Sequence, residues 1–147
     1  MGYYTFFKGE IELSNEKVAK IIKYMIDNEV GVFKEIYTFF TVEGLKVRVH
    51  GTWKNYESEM EKVCLFIAKL DNGAKGFIKA YGEDYEDLWA LKIEDGKAIF
   101  MVSEIAYYED REMEDGYLTD DEVSEVKKLV EKVKSHDFMK DVVAYYV

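Results

Sequence analysis

The sequence contains no proline, a single cysteine and two histidines in 147 residues. One cysteine excludes an internal disulfide. Because Cys64 stands within a helical apolar pattern, we expect a small buried side chain rather than a nucleophile. The few cysteines and histidines also exclude the ligand spacing of a zinc site. A reducing compartment is consistent with this composition.

Long apolar runs are also missing. No uninterrupted apolar stretch approaches the about 20 residues that a membrane-spanning helix requires. The N-terminal sequence MGYYTFFKGE lacks the basic start and the apolar run of a signal peptide. We therefore expect a cytoplasmic protein with no membrane partner.

The motifs of common catalytic and cofactor-binding sites are absent as well. There is no G-x-S-x-G turn, no phosphate-cradling glycine loop and no dinucleotide fingerprint. His50 alternates with apolar residues along a predicted strand, and His136 follows a helix end, where a cation suits the helix dipole. We predict no catalytic residue, no metal ligand and no cofactor, although an enzymatic role stays open.

Basic residues are in the minority. The chain has 30 acidic and 20 basic residues, which gives a formal net charge of −10. Nucleic-acid binding depends on Lys and Arg side chains that neutralise phosphates. The net charge therefore predicts no direct contact with nucleic acid and favours a basic protein as the partner.

What the sequence does contain is enough apolar material for a core, since 48% of its residues are apolar and 16% are aromatic. We predict a single α+β domain over residues 1–147, with a largely antiparallel sheet and two or three helices on one face. The predicted order is β-α-β-β-α-β-β-β-α. Alternating or β-favouring stretches predict strands over residues 3–13, 32–42, 45–53, 76–81, 88–93 and 98–108.

Helical spacing of apolar residues predicts three helices. Two of them cover residues 14–28 and 55–70, with Ser14 as the N-cap of the first. The third begins after Thr119, which forms a capping box with Glu122.

Turn signals separate these elements. Glu43-Gly44 and Asp95-Gly96 predict tight hairpins, because glycine and aspartate tolerate positive φ. Residues 138–147 fit either a last strand or a docked helical turn.

One predicted turn carries four carboxylates, on Glu83, Asp84, Glu86 and Asp87. Charged residues suit a solvated turn and discourage edge-to-edge pairing of strands, so we interpret this group as a charged hairpin tip. A glycosidase-like pair needs a buried carboxylate across a cleft, whereas these lie among like charges. The closest match to a calcium loop, residues 110–121, has Asp115 in place of the required glycine.

Most of the net charge lies in residues 104–125, which contain ten acidic residues and one base, Arg111. A helix N-terminus favours acids, which accounts for Asp120 and Asp121 but not for the preceding run. Tyrosines are interleaved with the acids, and tyrosine is enriched at interface hot spots. The segment predicts a negative surface that docks on a basic groove of another protein. The predicted contact residues are Glu83, Asp84, Glu86, Asp87, Glu104, Tyr107, Tyr108, Glu109, Asp110, Glu112, Glu114, Asp115, Tyr117, Asp120 and Asp121.

Three sequence stretches carry a resemblance to a known group of proteins. They read GEIEL, GTWKNYESEMEKVCLFIAKL and GFIKAYGEDYEDLWALKIEDGKAIF, and they lie within residues 9–100. In this pattern the chain resembles uncharacterised small proteins of bacteriophages and bacterial mobile elements. The resemblance implies no activity, but it implies a phage or mobile-element origin and an interaction with host or defence machinery.

Three functions are compatible with these features. The first is a non-catalytic binding protein of phage origin that inhibits a basic host or defence protein, with its acidic surface as a nucleic-acid mimic. The second is a small-ligand or toxin-neutralising module with a pocket lined by Tyr37, Phe39, Trp53 and Tyr56. The third is an enzyme that uses clustered carboxylates and a divalent metal. A homo-oligomer formed through the aromatic chain ends also stays open.

Overall fold

The computed structural model describes residues 4–54, 58–83, 88–104 and 107–147. This part of the chain forms an α+β structure, which confirms the predicted fold class. The strands are β1 (Tyr4–Glu12), β2 (Phe40–Glu43), β3 (Lys46–Lys54), β4 (Lys75–Gly82), β5 (Leu88–Glu94), β6 (Lys97–Glu104) and β7 (Tyr107–Glu112). The helices are α1 (Glu16–Asp27), α2 (Glu59–Leu70), α3 (Asp120–Val133) and α4 (Phe138–Tyr146), with 3₁₀ turns at Gly31–Phe33, Tyr37–Phe39 and Asp115–Tyr117.

All strands join one antiparallel sheet in the order β2-β3-β1-β4-β5-β6-β7. β1 lies inside the sheet because it pairs along its length with both β3 and β4. Tight turns join β2 to β3 and β5 to β6. Gly44 has a φ of 60°, and Asp95 and Gly96 have φ of 52° and 73°, so both predicted hairpins are confirmed.

The core lies between one face of the sheet and the helices. Alternate strand residues such as Phe7, Val47, Ile78 and Leu91 are buried on this face. α2 packs against β5 and β6, α3 packs against α2, and α4 contacts both α1 and α3. Because α2 lies between the sheet and α3, it is apolar and buried on nearly all sides.

The opposite face of the sheet is exposed. Its residues alternate with the core positions, and they include Lys8, Arg48, His50, Lys79 and Tyr81. This alternation of a buried and a solvated face is typical of an antiparallel sheet.

Two local predictions near the first helix are wrong. Asn15, not Ser14, is the N-cap of α1, since its side chain accepts a hydrogen bond of 2.7 Å from the backbone N–H of Lys17. The Ser14 side chain instead donates to Asp71. Residues 32–42 do not form one strand, because Phe33, Ile36 and Phe39 are all buried and this spacing of three residues suits 3₁₀ turns.

Other predictions concern element ends. The predicted strand over residues 98–108 is divided between β6 and β7, which pair with each other. The tail is helical, as α4. The helix predicted from residue 55 begins at Glu59, and residues 55–57 lie outside the described part of the chain. The capping box of Thr119 and Glu122 at the start of α3 is confirmed.

Candidate functional site

The first part of the acidic segment of residues 104–125 contains β7, the edge strand of the sheet. β7, with the sequence YYEDRE, pairs with β6 on one side and is the last strand in the sheet order. Charged residues on such an edge discourage pairing with another chain. This protective role explains charge on β7, but it does not require charge beyond residue 112.

Two buried residues anchor the segment that follows β7. Met113 donates its backbone N–H to the carbonyl of Ala98 over 2.7 Å, and its side chain is buried. Leu118 is buried as well. Between these two anchors Glu114 and Tyr117 are exposed, and Tyr117 presents 40% of its surface. The core contacts of Met113 and Leu118 therefore hold the acidic and aromatic side chains between them at the surface.

An open groove of about 470 Å³ runs along this segment. We call it the acidic groove, and it is lined by Phe100, Arg111, Glu112, Met113, Glu114, Gly116 and Tyr117. Aromatic and aliphatic side chains provide the apolar part of its surface, and Glu112 and Glu114 provide negative charge. A side chain added at Gly116 would meet no atom within 4 Å, so the groove is unobstructed there.

The first turn of α3 adds further negative charge beside the groove. Asp120 and Asp121 are exposed, and the partial positive charge at the helix N-terminus stabilises them. Glu122 has a structural role instead. Its Oε1 accepts from the backbone N–H of Thr119 over 2.8 Å and from the Lys62 ammonium over 3.3 Å.

Charge compensation distinguishes the acidic groove from the rest of the sheet. Glu10 lies 3.7 Å from Lys46 and 3.8 Å from Arg48, and Glu94 lies 3.2 Å from Lys92. At the groove, Glu112 has one long ion pair of 3.9 Å with the exposed Lys97, a geometry worth little energy. Within the described ranges Glu114, Asp120 and Asp121 form no ion pair, so the negative charge of these three carboxylates is not compensated by a neighbouring cation.

Glu83 is the one member of the predicted carboxylate turn within the described residues. Glu83 follows β4 and accepts a hydrogen bond of 3.0 Å from the backbone N–H of Tyr4. β5 and β6 stand between β4 and β7, and the antiparallel order puts the end of β4 at the opposite end of the sheet from Glu112. The described member of the carboxylate turn is thus remote from the acidic groove. Asp84, Glu86 and Asp87 lie outside the described residues.

The remaining predicted contact residues lie on β6 and β7. In the backbone register Glu104 pairs with Tyr107, Met101 pairs with Asp110, and Tyr108 and Glu109 occupy the positions between. Asp115 opens the 3₁₀ turn of the groove segment. The structure therefore brings Glu112, Glu114, Tyr117, Asp120 and Asp121 to one end of the sheet edge.

The sequence analysis does not predict that the carboxyl group of Glu61 is buried. Glu61 in α2 is 4% exposed, and burial raises the pKa of its carboxyl to about 7. The signal was present, since Glu61 stands three and four residues before the apolar Cys64 and Leu65 on a helix. Burial also raises the pKa of the Cys64 thiol, which is fully covered, so the predicted buried cysteine is confirmed.

Two residues predicted for the alternative ligand pocket, Phe39 and Trp53, pack against each other at the core. Phe39 is buried, and its ring meets Trp53 edge-on at 5.6 Å, so these two predicted pocket residues fill the core. Tyr56 lies outside the described residues. Within the described ranges no three His, Cys, Asp or Glu side chains are close enough to hold one metal ion. None of the helices described is both long and apolar enough to cross a membrane.

Comparisons of the chain with protein-family models, with curated proteins and with solved structures found no match. The resemblance to phage and mobile-element proteins therefore stays a prediction.

Proposed function

We propose that this protein is a non-catalytic binding protein that docks its acidic groove on a basic surface of another protein. The observation that carries the proposal is the groove itself, in which the exposed carboxylates of Glu112 and Glu114 lie beside the exposed Tyr117. Interfaces are commonly centred on such aromatic anchors, and complementary charge gives them specificity and a fast encounter.

The groove suits a lysine or arginine side chain from the partner. The aliphatic part of that side chain can lie against Phe100 and Tyr117, as long basic side chains do on apolar surfaces. Its charged end is then within reach of Glu112 and Glu114, and the face of the Tyr117 ring attracts a cation further. Arg111 borders the same groove and is its one basic lining residue.

The negative charge of the acidic segment also indicates the class of partner. Residues 104–125 carry nine of the ten net negative charges of the chain, and such a field attracts proteins whose basic groove holds nucleic acid. We therefore assign the protein the role of an inhibitor that acts as a nucleic-acid mimic on a host or defence protein in the cytoplasm. The predicted phage or mobile-element origin is consistent with this role.

A capture experiment with matched variants tests the proposal. The tagged chain, its Glu112→Gln/Glu114→Gln variant and an Asp27→Asn/Glu35→Gln control are incubated with host lysate at about 50 mM and about 200 mM NaCl. Asp27 and Glu35 are exposed and lie outside the groove, so the control changes net charge equally. We expect a basic partner that the wild type and the control retain at low salt and that the groove variant loses.

Two results would contradict the proposal. One is a partner that binds the groove variant as tightly as the wild type. The other is equal loss of the partner from both variants, which would reduce the effect to net charge and leave the groove without a specific role.

A further inference from the structure

The exposed face of the sheet carries a second surface, with aromatic and basic residues. We call it the aromatic–lysine patch and define it as Phe6, Lys8, His50, Phe77, Lys79 and Tyr81. These residues lie on the neighbouring strands β3, β1 and β4, and the register places them on the face opposite the core. Their arrangement is independent of the acidic groove and of the function proposed for it.

The register brings two lysines together across the patch, with His50 beside them. Lys8 is the direct neighbour of His50 on one side and of Lys79 on the other. Like charges in directly opposed positions destabilise a sheet. Neither lysine has a carboxylate partner in the described part of the chain, so folding leaves this repulsion in place. An anion bound between the two strands would relieve it.

Exposed rings lie on both sides of the lysine row. Phe77 and Tyr81 each present 39% of their surface, which is high for such large side chains. They stand four residues apart on β4, or about 13 Å along the strand. The Phe6 ring lies 6.2 Å from Tyr81 and meets His50 edge-on at 5.2 Å. The patch therefore offers flat apolar groups beside cations.

A groove of about 660 Å³ extends the patch toward the β3 side. Lys8, Lys46, Arg48, His50 and Phe77 line it together with one acid, Glu10. Ion pairs of 3.7 Å and 3.8 Å with Lys46 and Arg48 neutralise that acid. Arg48 also pairs with Glu43 at 3.6 Å. Lys8, Lys46 and Arg48 still outnumber Glu10 and Glu43, so the local charge of the groove is positive although the chain as a whole is acidic.

The acidic segment lies far enough away to leave this local charge effective. Four strand spacings separate Lys8 on β1 from β7, which corresponds to about 19 Å, and three separate Lys79 on β4 from β7, or about 14 Å. Electrostatic interactions between exposed charges decay over about 8 Å at physiological ionic strength. The acidic segment of residues 104–125 therefore contributes little to the field at Lys8 and Lys79, and the acid nearest to Tyr81 along β4 is Glu83.

From these observations we infer that the aromatic–lysine patch binds single-stranded nucleic acid. Bases stack on Phe77 and Tyr81, and Lys8 and Lys79 contact the phosphates between them. Sheets that present aromatic rings beside basic residues bind single strands by this combination of stacking and charge. The inference departs from the expectation of no nucleic-acid contact, which depended on net charge alone.

Fluorescence anisotropy with labelled oligothymidine and oligouridine of about 16 nucleotides tests the inference. We expect saturable binding at about 50 mM NaCl that weakens as salt is raised. Lys8→Gln/Lys79→Gln should weaken binding at least tenfold and reduce the salt slope by about 1.4, since each phosphate contact in a single strand contributes about 0.7. Phe77→Ala/Tyr81→Ala should weaken binding about tenfold or more and leave the salt slope unchanged.

A Lys20→Gln/Lys23→Gln variant serves as the matched control, because both lysines are exposed on α1, away from the patch. It should bind like the wild type, and thermal unfolding followed by circular dichroism should show that all variants are folded. A wild-type protein that binds neither oligonucleotide overturns the inference. Equal weakening in the control also overturns it. Sedimentation gives a third contrary outcome. If the wild type self-associates, the Lys8→Gln/Lys79→Gln variant does not, and no oligonucleotide binds, then a second copy of the chain occupies the patch and the inference is overturned.

Discussion

Replacing the buried Glu61 by glutamine should change how the stability of the protein depends on pH. The Glu61 side chain is almost fully enclosed in α2, and its Oε2 has no hydrogen-bond donor among the described residues. Water no longer stabilises the charged form at this position, and burial raises the pKa of the carboxyl from 4.5 to about 7. The neutral glutamine has a similar shape and cannot ionise.

The direction and size of the effect follow from this shift. Between pH 4.5 and about 7 the folded chain holds a proton on Glu61 that the unfolded chain has released. The contribution of Glu61 to the free energy of unfolding is therefore highest below about pH 4.5, decreases as the pH rises, and reaches a lower plateau above about 7. A difference of about 2.5 pKa units corresponds to about 3 kcal/mol. Glu61→Gln should remove this decrease.

Urea denaturation at intervals from pH 4.5 to 8 measures the difference between the two proteins. We expect the stability of Glu61→Gln relative to the wild type to increase by about 3 kcal/mol over this range. Burial also raises the pKa of Glu125, but that carboxyl is present in both proteins and cancels in the difference. Glu35→Gln, at an exposed position, should follow the wild type. A difference between wild type and Glu61→Gln that is constant with pH, or that falls as pH rises, would refute the reasoning.

Three further predictions concern single residues. Asp71→Ala should lower the free energy of unfolding, measured by urea denaturation, by about 3 kcal/mol. The reason is that the buried Asp71 carboxylate accepts hydrogen bonds from the backbone N–H groups of Ser14 and Gly73 at 2.7 Å and 3.1 Å. A loss below about 1 kcal/mol would show that these hydrogen bonds are not needed for stability. Thr119→Ala should cost about 1 kcal/mol and speed amide exchange in the first turn of α3, and unchanged exchange would argue against the capping box. A thiol reagent should leave Cys64 unmodified until urea unfolds the chain, and rapid labelling of the native protein would show that this cysteine is accessible.

Where the sequence carried a local signal, it predicted the fold well. The hairpin at Asp95-Gly96 and the capping box at Thr119 each depend on residues a few positions apart, and both are confirmed. The sequence predicts Ser14 as the N-cap of α1, because serine favours that position, but the cap is Asn15. The Ser14 side chain instead donates a hydrogen bond to Asp71, a residue distant in the sequence. Tertiary contacts of this kind are invisible in a local pattern.

The candidate site was also predicted in part: its composition is a local signal, and its position in the fold depends on tertiary contacts. The run of acids in residues 104–125 is plain in the sequence, but its placement on an edge strand and between the anchors Met113 and Leu118 is not. The register places Glu83 at the sheet end opposite Glu112, which the sequence alone does not reveal. The aromatic–lysine patch was missed because its residues come from separate strands and only the register brings them together.

The sharpest test of the acidic groove is an NMR titration of the isotope-labelled protein with an arginine-rich peptide, which stands in for a basic partner. We predict saturable changes in backbone amide shifts centred on Glu112, Glu114 and Tyr117, with smaller changes at Asp120 and Asp121. Glu112→Gln/Glu114→Gln should weaken these changes, and Asp27→Asn/Glu35→Gln should not. Weak shifts spread over every acidic residue of the chain, without saturation, would contradict a specific binding role for the groove.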